Sequence, residues 1–467
     1  MGEPRWFLAY GRLPVWMQNA ACSAAGLRMR RERHGRVFHR ALEFLEESQG
    51  WSLGDQQAYQ DERLGEILHH AYETVPYYRE VFDRLRLRPR DIRGARDLPK
   101  LPLLDKQTIR RRRADLVSAG WPRPRRRYGH TGGTTGTALD LEFDVETLAW
   151  QWAVWWRHRH RFGAQLRDPF IVFGGKNVVP LHRMESPIWR RNLPMRQTYV
   201  SIHHMTRANM PALVDYLQTR RVGYYSGYPS GLYLLAAHLI ATGQRLDAPP
   251  PLVFTGSESL LPHQRRTMAA AFQAEVADQY GATEQCGNIS ECEQHVYHVD
   301  MEFGIVEFLP IAGQPGDVRR IVCTGLHNPA MPLIRYDIGD VATLREAPCA
   351  CGRQSPTVAA IDGRIESYIV TPDGRRLGRL DFLFKHSHHI EEAQLVQDEA
   401  DHVTVRIVRG AGYGPGDERE LLRDLRTYLG DVIRIDLAPV PEIPREPNGK
   451  FRQIVSRVLR EPMDVVA

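Results

Sequence analysis

Long apolar runs are missing from this chain. None reaches the roughly eighteen consecutive apolar residues of a membrane-spanning helix, so a transmembrane segment is not expected. The N-terminus also lacks the order of a secretory signal, because charge, Pro14 and Gln18 interrupt the apolar stretch from Trp6 to Trp16. These two absences make the cytoplasm the expected compartment. Cysteine is scarce as well: six in 467 residues do not build a disulfide framework. There is no zinc-finger spacing, no RNA-binding signature and no basic region followed by heptads, so no nucleic-acid partner is expected. Internal repeats are absent, and low complexity is limited to two arginine bursts at 110–113 and 123–127.

What is present describes a multidomain enzyme-sized chain. With 42% hydrophobic and 25% charged residues, 467 residues exceed what one core organises, and two or three domains follow. The net charge is +6 and the pI about 9.0, with much of the excess in the arginine bursts. A basic run is usually a solvated face, yet these runs directly precede a glycine-rich loop, where they suit the attraction of phosphates. The seven aromatic and aliphatic side chains Trp6, Phe7, Leu8, Tyr10, Leu13, Val15 and Trp16 suit a membrane surface or a partner, although packing onto the body of the protein is the expectation.

That loop is Tyr128-Gly129-His130-Thr131-Gly132-Gly133-Thr134-Thr135-Gly136-Thr137, followed by alternating Leu139, Leu141 and Phe143. It reads as a mobile loop opening a β-hairpin. Glycines let backbone N–H groups approach a polyanion, and threonine hydroxyls add uncharged donors. No Gly-Lys-Ser/Thr follows, so it is not a P-loop.

Helical spacing of apolar residues predicts helices over 28–50 and 55–75, the second stopping before Pro76, and a short helix near Ile109. Residues 148–162 form a helix carrying Trp150, Trp152, Trp155 and Trp156, which serves either the core or a flat substrate wall. Short apolar strands then alternate with helices. Strands are expected at 169–175 and 252–256 and helices at 206–220, 230–241 and 262–275, with 224–230 as a connection and Ser230 as an N-cap. This alternation argues for an α/β domain with mostly parallel sheets flanked by helices, and ligands of such domains gather at strand carboxyl ends. Period-two patterning over 299–360 indicates a β subdomain. The sequence around Asp362-Gly363-Arg364 marks a boundary, dividing the chain into residues 1–362 and a small mobile α+β C-terminal domain, 363–467.

Five motifs appear in order: the Gly/Thr loop, Tyr280-Gly281-Ala282-Thr283-Glu284, Arg335-Tyr336-Asp337-Ile338-Gly339-Asp340 at a strand end, Asp362-Gly363-Arg364, and Pro447-Asn448-Gly449-Lys450-Phe451-Arg452. This succession resembles the adenylate-forming superfamily of acyl-CoA synthetases, and within it the phenylacetate-CoA ligase-like branch with its capsular-polysaccharide-locus relatives. The resemblance spans about residues 60–460. It implies that Thr131, Gly132, Gly133, Thr134, Thr135 and Gly136 wrap the ATP phosphates, and that Gly256, Ser257 and Glu258 form the adenine-contacting turn. It further implies that Tyr280 stacks on adenine with Gly281 beside it, Thr283 contacts the α-phosphate, Glu284 holds Mg²⁺ and Asp340 accepts from both ribose hydroxyls. Arg364 matches a nucleotide-binding arginine, Glu366 occupies the hinge, and Lys450 bridges acid and α-phosphate. The chemistry independently asks for such groups, because a carboxylate attacking phosphorus is one anion approaching another. Glu at 366, where Asp or Lys is usual, and Gly133, where Ser is common, depart from the pattern.

The resemblance implies ATP and Mg²⁺ as cofactors and CoA as the acceptor of the acyl group. An amine or hydroxyl acceptor in natural-product or surface-polysaccharide assembly is the alternative, and an inactive polyanion-binding relative is a second. The acid is expected to be aromatic or flat, lying against Tyr225, Tyr228, the region of His203 and His204, and the tryptophan helix. Separately, Cys292, His298, Cys349 and Cys351 supply three thiolates and an imidazole from two turns, which suits structural Zn²⁺, and the capsule-locus relatives carry a similar set. His295 and Cys286 are alternative ligands, and reduced cysteines packed as small hydrophobes are the plainer reading.

Overall fold

A computed structural model describes residues 5–130, 139–180, 183, 185–311, 315–364, 369–372, 376–377, 389–410, 412–430, 432–445 and 451–458. Its largest element is a twelve-stranded sheet. Five parallel strands form its centre, in spatial order β5 (Gln197–Ser201), β3 (Phe170–Gly174), β6 (Tyr224–Gly227), β7 (Leu252–Gly256) and β8 (Glu275–Gly281). β4 (Trp189–Asn192) closes one edge antiparallel. Beyond β8 the sheet continues antiparallel through β9 (Asn288–Glu291), β10 (Tyr297–Val299), β14 (Thr357–Arg364), β13 (Tyr336–Leu344), β12 (Val318–Gly325) and β11 (Gly304–Pro310).

The strand and helix alternation thus builds the parallel centre, as the crossover rule demands. The region of period-two strands is present too, as a continuation of the same sheet. A hairpin of β1 (Arg126–His130) and β2 (Asp140–Asp144) lies outside it. Leu139, Leu141 and Phe143 anchor that hairpin in the core shared with Ala282 and Cys286, at the turn after β8, and with Ile289 of β9. A separate four-stranded sheet, ordered β19 (Arg434–Pro439), β18 (His402–Arg409), β17 (Ile390–Glu399) and β20 (Ile454–Ser456), packs on the helix Pro415–Leu429 around its own core of Leu395, Val405, Leu421 and Leu425. A two-residue pair, β15 (Ile369–Val370) with β16 (Arg376–Leu377), precedes it.

Several sequence expectations shift locally. The helix expected over 28–50 is two helices, Val15–Arg33 and Arg36–Ser48, separated where Gly35 is extended. Residues 224–227 are strand β6, not a connection, because their backbone fills the gap between β3 and β7. Ser230 does not cap its helix, since Tyr228 is the N-cap with Pro229 in the first turn. Asp340 lies within β13 rather than at its end. At the N-terminus Phe7 is buried and the Tyr10 hydroxyl donates to the Val178 carbonyl, whereas Trp6 and Trp16 are exposed. No helix among the described residues is long and apolar enough to cross a membrane.

Three arginines of the bursts hold the hairpin. Arg125 binds Asp144 through two nitrogens at 2.9 and 2.6 Å. Arg113 and Arg126 both reach Glu142, and Arg112 pairs with Glu80 and Asp115. Arg113, Arg125 and Arg126 neutralise Glu142 and Asp144, which the hairpin would otherwise bury unpaired.

Candidate active site

Parallel strands leave their carboxyl ends on one side of the sheet, and there β7 and β8 deliver two turns. At the β7 turn Ser257 takes φ +71°, a left-handed conformation that a non-glycine residue adopts at some cost. The turn aims Glu258 inward. Its carboxylate accepts from the Ser230 N–H and hydroxyl at 3.0 and 3.1 Å, and from the Phe451 N–H at 2.6 Å. Burial pushes the Glu258 carboxyl up, against the pull of those donors.

Tyr280 and Gly281 end β8, and its hydroxyl donates to Asp340 at 2.7 Å. Asp340 stands opposite Arg364 in the β13 and β14 register. A Cβ built on Gly363 would lie 3.2 Å from the Ser259 hydroxyl, so the end of β14 approaches the β7 turn closely. Past β8, Thr283 is exposed in the turn while Glu284 is buried and accepts from the Tyr336 hydroxyl at 2.8 Å. Among the described residues its second oxygen has no protein partner, which leaves an acceptor for a cation. Gly256, Ser257, Glu258, Tyr280, Gly281, Asp340 and the backbone of Arg364 therefore share one region, with Glu284 on the adjoining turn. Thr131, Gly132, Gly133, Thr134, Thr135, Gly136, Glu366 and Lys450 lie outside the described residues. Their flanks are described: His130 and Leu139 bracket the loop, and Phe451 follows the lysine.

A cavity of about 940 Å³ extends from these turns along the sheet. Its floor carries alternate strand residues: Phe170, Val172 and Gly174, Gln197 and Tyr199, Tyr224 and Ser226, and Gln279 and Gly281. The helix Val145–Arg161 covers it with Trp152, Trp155, Trp156 and Arg159. The tryptophan helix lines this cavity and also packs in the core, to which Trp156 and Ala153 belong.

Of the expected acid contacts, Tyr228 lines this cavity and Tyr225 and His204 do not. Tyr225 projects from the other face of β6, fully buried, its ring 5.3 Å from Phe173 and 5.5 Å from Phe272. His204 is buried between the Ser201 hydroxyl at 2.7 Å and the Pro180 carbonyl at 3.1 Å. The cavity residue is Tyr224, one position earlier; reading 224–227 as a strand would have exposed this parity. Also missed were Arg33, Arg159 and Lys176. Arg159 carried a legible signal, being four residues after Trp155 and seven after Trp152 on one helical face.

The cysteine and histidine cluster assembles away from this cavity. The ligand atoms of Cys292, His298, Cys349 and Cys351 all lie within 4.8 Å of one another, with Sγ of Cys292 and Cys349 at 3.5 Å and Cys351 Sγ to His298 Nε2 at 3.4 Å. Ligands about 2.0 to 2.3 Å from a tetrahedral ion stand about 3.3 to 3.8 Å apart, so the donor set fits Zn²⁺. Burial, helped by Arg161 and Arg353, pushes His298 down to about 4, which keeps the imidazole neutral and able to ligate. Its Nδ1 lies 3.3 Å from the Ser355 hydroxyl. Cys286 and His295 are not in this cluster.

Comparison with known proteins places the chain among relatives of one kind. Residues 369–457 match the CapK C-terminal domain family. Protein CapK of Staphylococcus aureus is 22% identical over 96% of this chain and 99% of its own length. A phenylacetate-coenzyme A ligase of Thermus thermophilus is 24% identical over 85% of this chain and 96% of its own. Among solved structures, a 2-hydroxyisobutyryl-CoA ligase in the postadenylation state, in complex with R3-HIB-AMP, superposes with a TM-score of 0.69 at 18% identity, covering 88% of this chain and 91% of that one. The fold is that of the adenylate-forming ligases, and the chain's homologues are CapK and phenylacetate-CoA ligases.

Proposed function

We propose that this chain, with the fold of the adenylate-forming ligases and CoA ligases among its homologues, activates a carboxylic acid with ATP and transfers the acyl group to CoA. In the first step a carboxylate oxygen of the acid forms a bond to the α-phosphorus of ATP while the bond from that phosphorus to the bridging oxygen breaks, and pyrophosphate leaves. In the second the CoA sulfur bonds to the acyl carbon, the mixed-anhydride bond breaks, AMP leaves and the thiol proton passes to solvent. The observation that supports this reading best is the Phe451 contact with Glu258, which brings the residue after Lys450 to the same turn as Gly256 and Ser257.

In this reading Tyr280 and Gly281 flank the adenine, Asp340 takes the ribose and Thr283 the α-phosphate. The loop from Thr131 to Gly136 closes on the outer phosphates with uncharged donors. Glu284 would hold Mg²⁺, which neutralises phosphate charge when bound. Lys450 adds the cation that lets two anions meet. Glu366 and the residues after 362 form the hinge on which the lysine loop withdraws before CoA enters. The four-ligand cluster would hold Zn²⁺ structurally, with no open position for chemistry.

Acid-dependent exchange of labelled pyrophosphate into ATP tests the first step across aryl, aliphatic and amino acids. Chromatography of products with and without CoA tests the second. Exchange that proceeds while no thioester forms would move the acceptor to an amine or hydroxyl. No exchange with any acid, from a protein that is folded, would sink the reading.

A further inference from the structure

The wall of the cavity carries one sign of charge. Arg30, Arg33, Arg159, Arg167, Lys176 and Arg196 line it, and no aspartate or glutamate does. None of the six makes an ion pair among the described residues, although Arg112, Arg125 and Arg126 of the basic bursts do. Three of them stack on rings, and Arg159 also donates to the Trp155 carbonyl at 2.9 Å. The Arg33 guanidinium stands 4.2 Å over the Trp152 ring, Lys176 Nζ 4.9 Å over Tyr199, and Arg159 5.4 Å over Phe254.

Arg159 is buried and Arg33 half-buried, so their charges lose hydration unless an anion answers them, whereas Arg30, Arg167, Lys176 and Arg196 are exposed. Burial lowers the proton affinity of Arg33 and Arg159. Burial and the Arg33 charge likewise push His34, also on the wall, down to about 4. Rings relieve a cation only partly, and a cavity walled by cations concentrates anions. A carboxyl awaiting activation sits by the nucleotide turns, where β6 and β7 end at Gly227 and Gly256. Arg159 interacts with Tyr224 at the opposite end of β6, about 10 Å along the strand from Gly227. One carboxylate cannot answer both ends.

We propose that the acid activated here carries a second anionic group, a carboxylate or a phosphate or sulfate ester, answered by Arg159 at the start of β6 beyond a flat apolar segment that lies against the tryptophans, with Arg33 and Lys176 adding positive charge along the wall. The inference rests on the acid-activating function proposed above and names the class of its substrate. Calorimetric titration of the ATP-free protein with phenylacetate, 4-carboxyphenylacetate and 4-(phosphonooxy)phenylacetate reads the pocket without turnover. Pyrophosphate exchange with the same three acids reads turnover. At least one dianionic acid is expected to bind tenfold or more tighter than phenylacetate, with an affinity that falls as salt rises, and comparison of the carboxylate and phosphate arms identifies which group is preferred. In Arg159→Met and Arg159→Gln that preference shrinks tenfold or more.

Phenylacetate binding as tightly as both dianions overturns the inference, whether or not the variants fold. Competitive displacement of the dianion by ATP also overturns it, because the anion would then occupy the nucleotide site. Exchange with phenylacetate alone keeps the acid-activating function and removes the second anion. Dianion binding at the cationic wall without exchange keeps the wall's assignment and removes the function.

Discussion

The backbone N–H of Phe451 donates to the Glu258 carboxylate at 2.6 Å, joining the C-terminal β-sheet region to the turn after β7. Glu258 also takes two donors from Ser230, so one buried carboxylate ties a helix start, a strand end and the segment after Lys450. Its replacement by Gln weakens charge-assisted acceptors worth about 1.5 to 3 kcal/mol in typical cases. Glu258→Gln is expected to slow pyrophosphate exchange roughly ten- to a hundredfold by the same measure while sparing thioester formation from a preformed acyl-adenylate. Equal loss in both half-reactions would contradict a role for this contact in closing the first. Lys450→Ala should show the same asymmetry with an exchange loss of about 10² to 10³.

Tyr280 and Asp340 are joined by a 2.7 Å hydrogen bond, and both face the proposed nucleoside. Asp340→Ala should raise the KM for ATP about ten- to a hundredfold, as expected for loss of a charged acceptor. Tyr280→Phe keeps a ring for stacking and should raise it less. If Asp340→Ala leaves the ATP KM unchanged, the ribose is bound elsewhere.

Adjacent tyrosines on β6 should behave oppositely. Tyr225 has a buried hydroxyl with no partner among the described residues, so Tyr225→Phe is expected to stabilise the fold by about 1 kcal/mol in urea unfolding and leave the acid KM alone. Tyr224→Leu should alter the KM for the acid. A KM change confined to Tyr225→Phe would reverse the assignment of faces.

Zinc analysis of protein purified without chelator should give one ion per chain, and Cys349→Ser with Cys351→Ser should abolish it. Ligand loss should lower the thermal midpoint by several degrees, because metal binding free energy contributes to folding. Stoichiometric binding with no change in the midpoint would leave the site without its structural role.

Asp278 is buried beside Glu291, and burial first, then the Glu291 charge, raises its carboxyl to about 7. Thr255 and Tyr297 donate to it at 2.5 and 2.7 Å. A folded-state value above the unfolded one means that the native state holds the extra proton. Its contribution is fully present below the unfolded value near 3.8 and is lost as pH rises towards 7. Urea midpoints should therefore carry a downward component across this window that Asp278→Asn removes. An unchanged slope in the variant would show that the group does not titrate there.

The α/β alternation and the Cys292, His298, Cys349 and Cys351 set that the fold brings together were legible because each is local: strand period and ligand chemistry reside in short segments. The boundaries that failed were also local in origin. Gly35 interrupts a pattern that apolar spacing alone would continue, and the four residues of β6 are too short to show a period by themselves. The arginine bursts were ambiguous for another reason, since their partners Glu80, Glu142 and Asp144 are set by how the hairpin packs.

By itself the sequence determined which chemistry the chain contains: a glycine-threonine loop, carboxylates at strand ends, a lysine on a glycine-flanked turn, and thiols with an imidazole. Tertiary structure alone decided which of these meet. Asp340 lies opposite Arg364, and Phe451 reaches Glu258 across 193 residues, because sheet order and register bring distant segments together. It also decided that Tyr224, and not Tyr225, faces the cavity, and that Arg33, from a helix far upstream, shares a wall with Lys176. Side-chain direction on a strand follows from pairing, and pairing is a property of the folded chain.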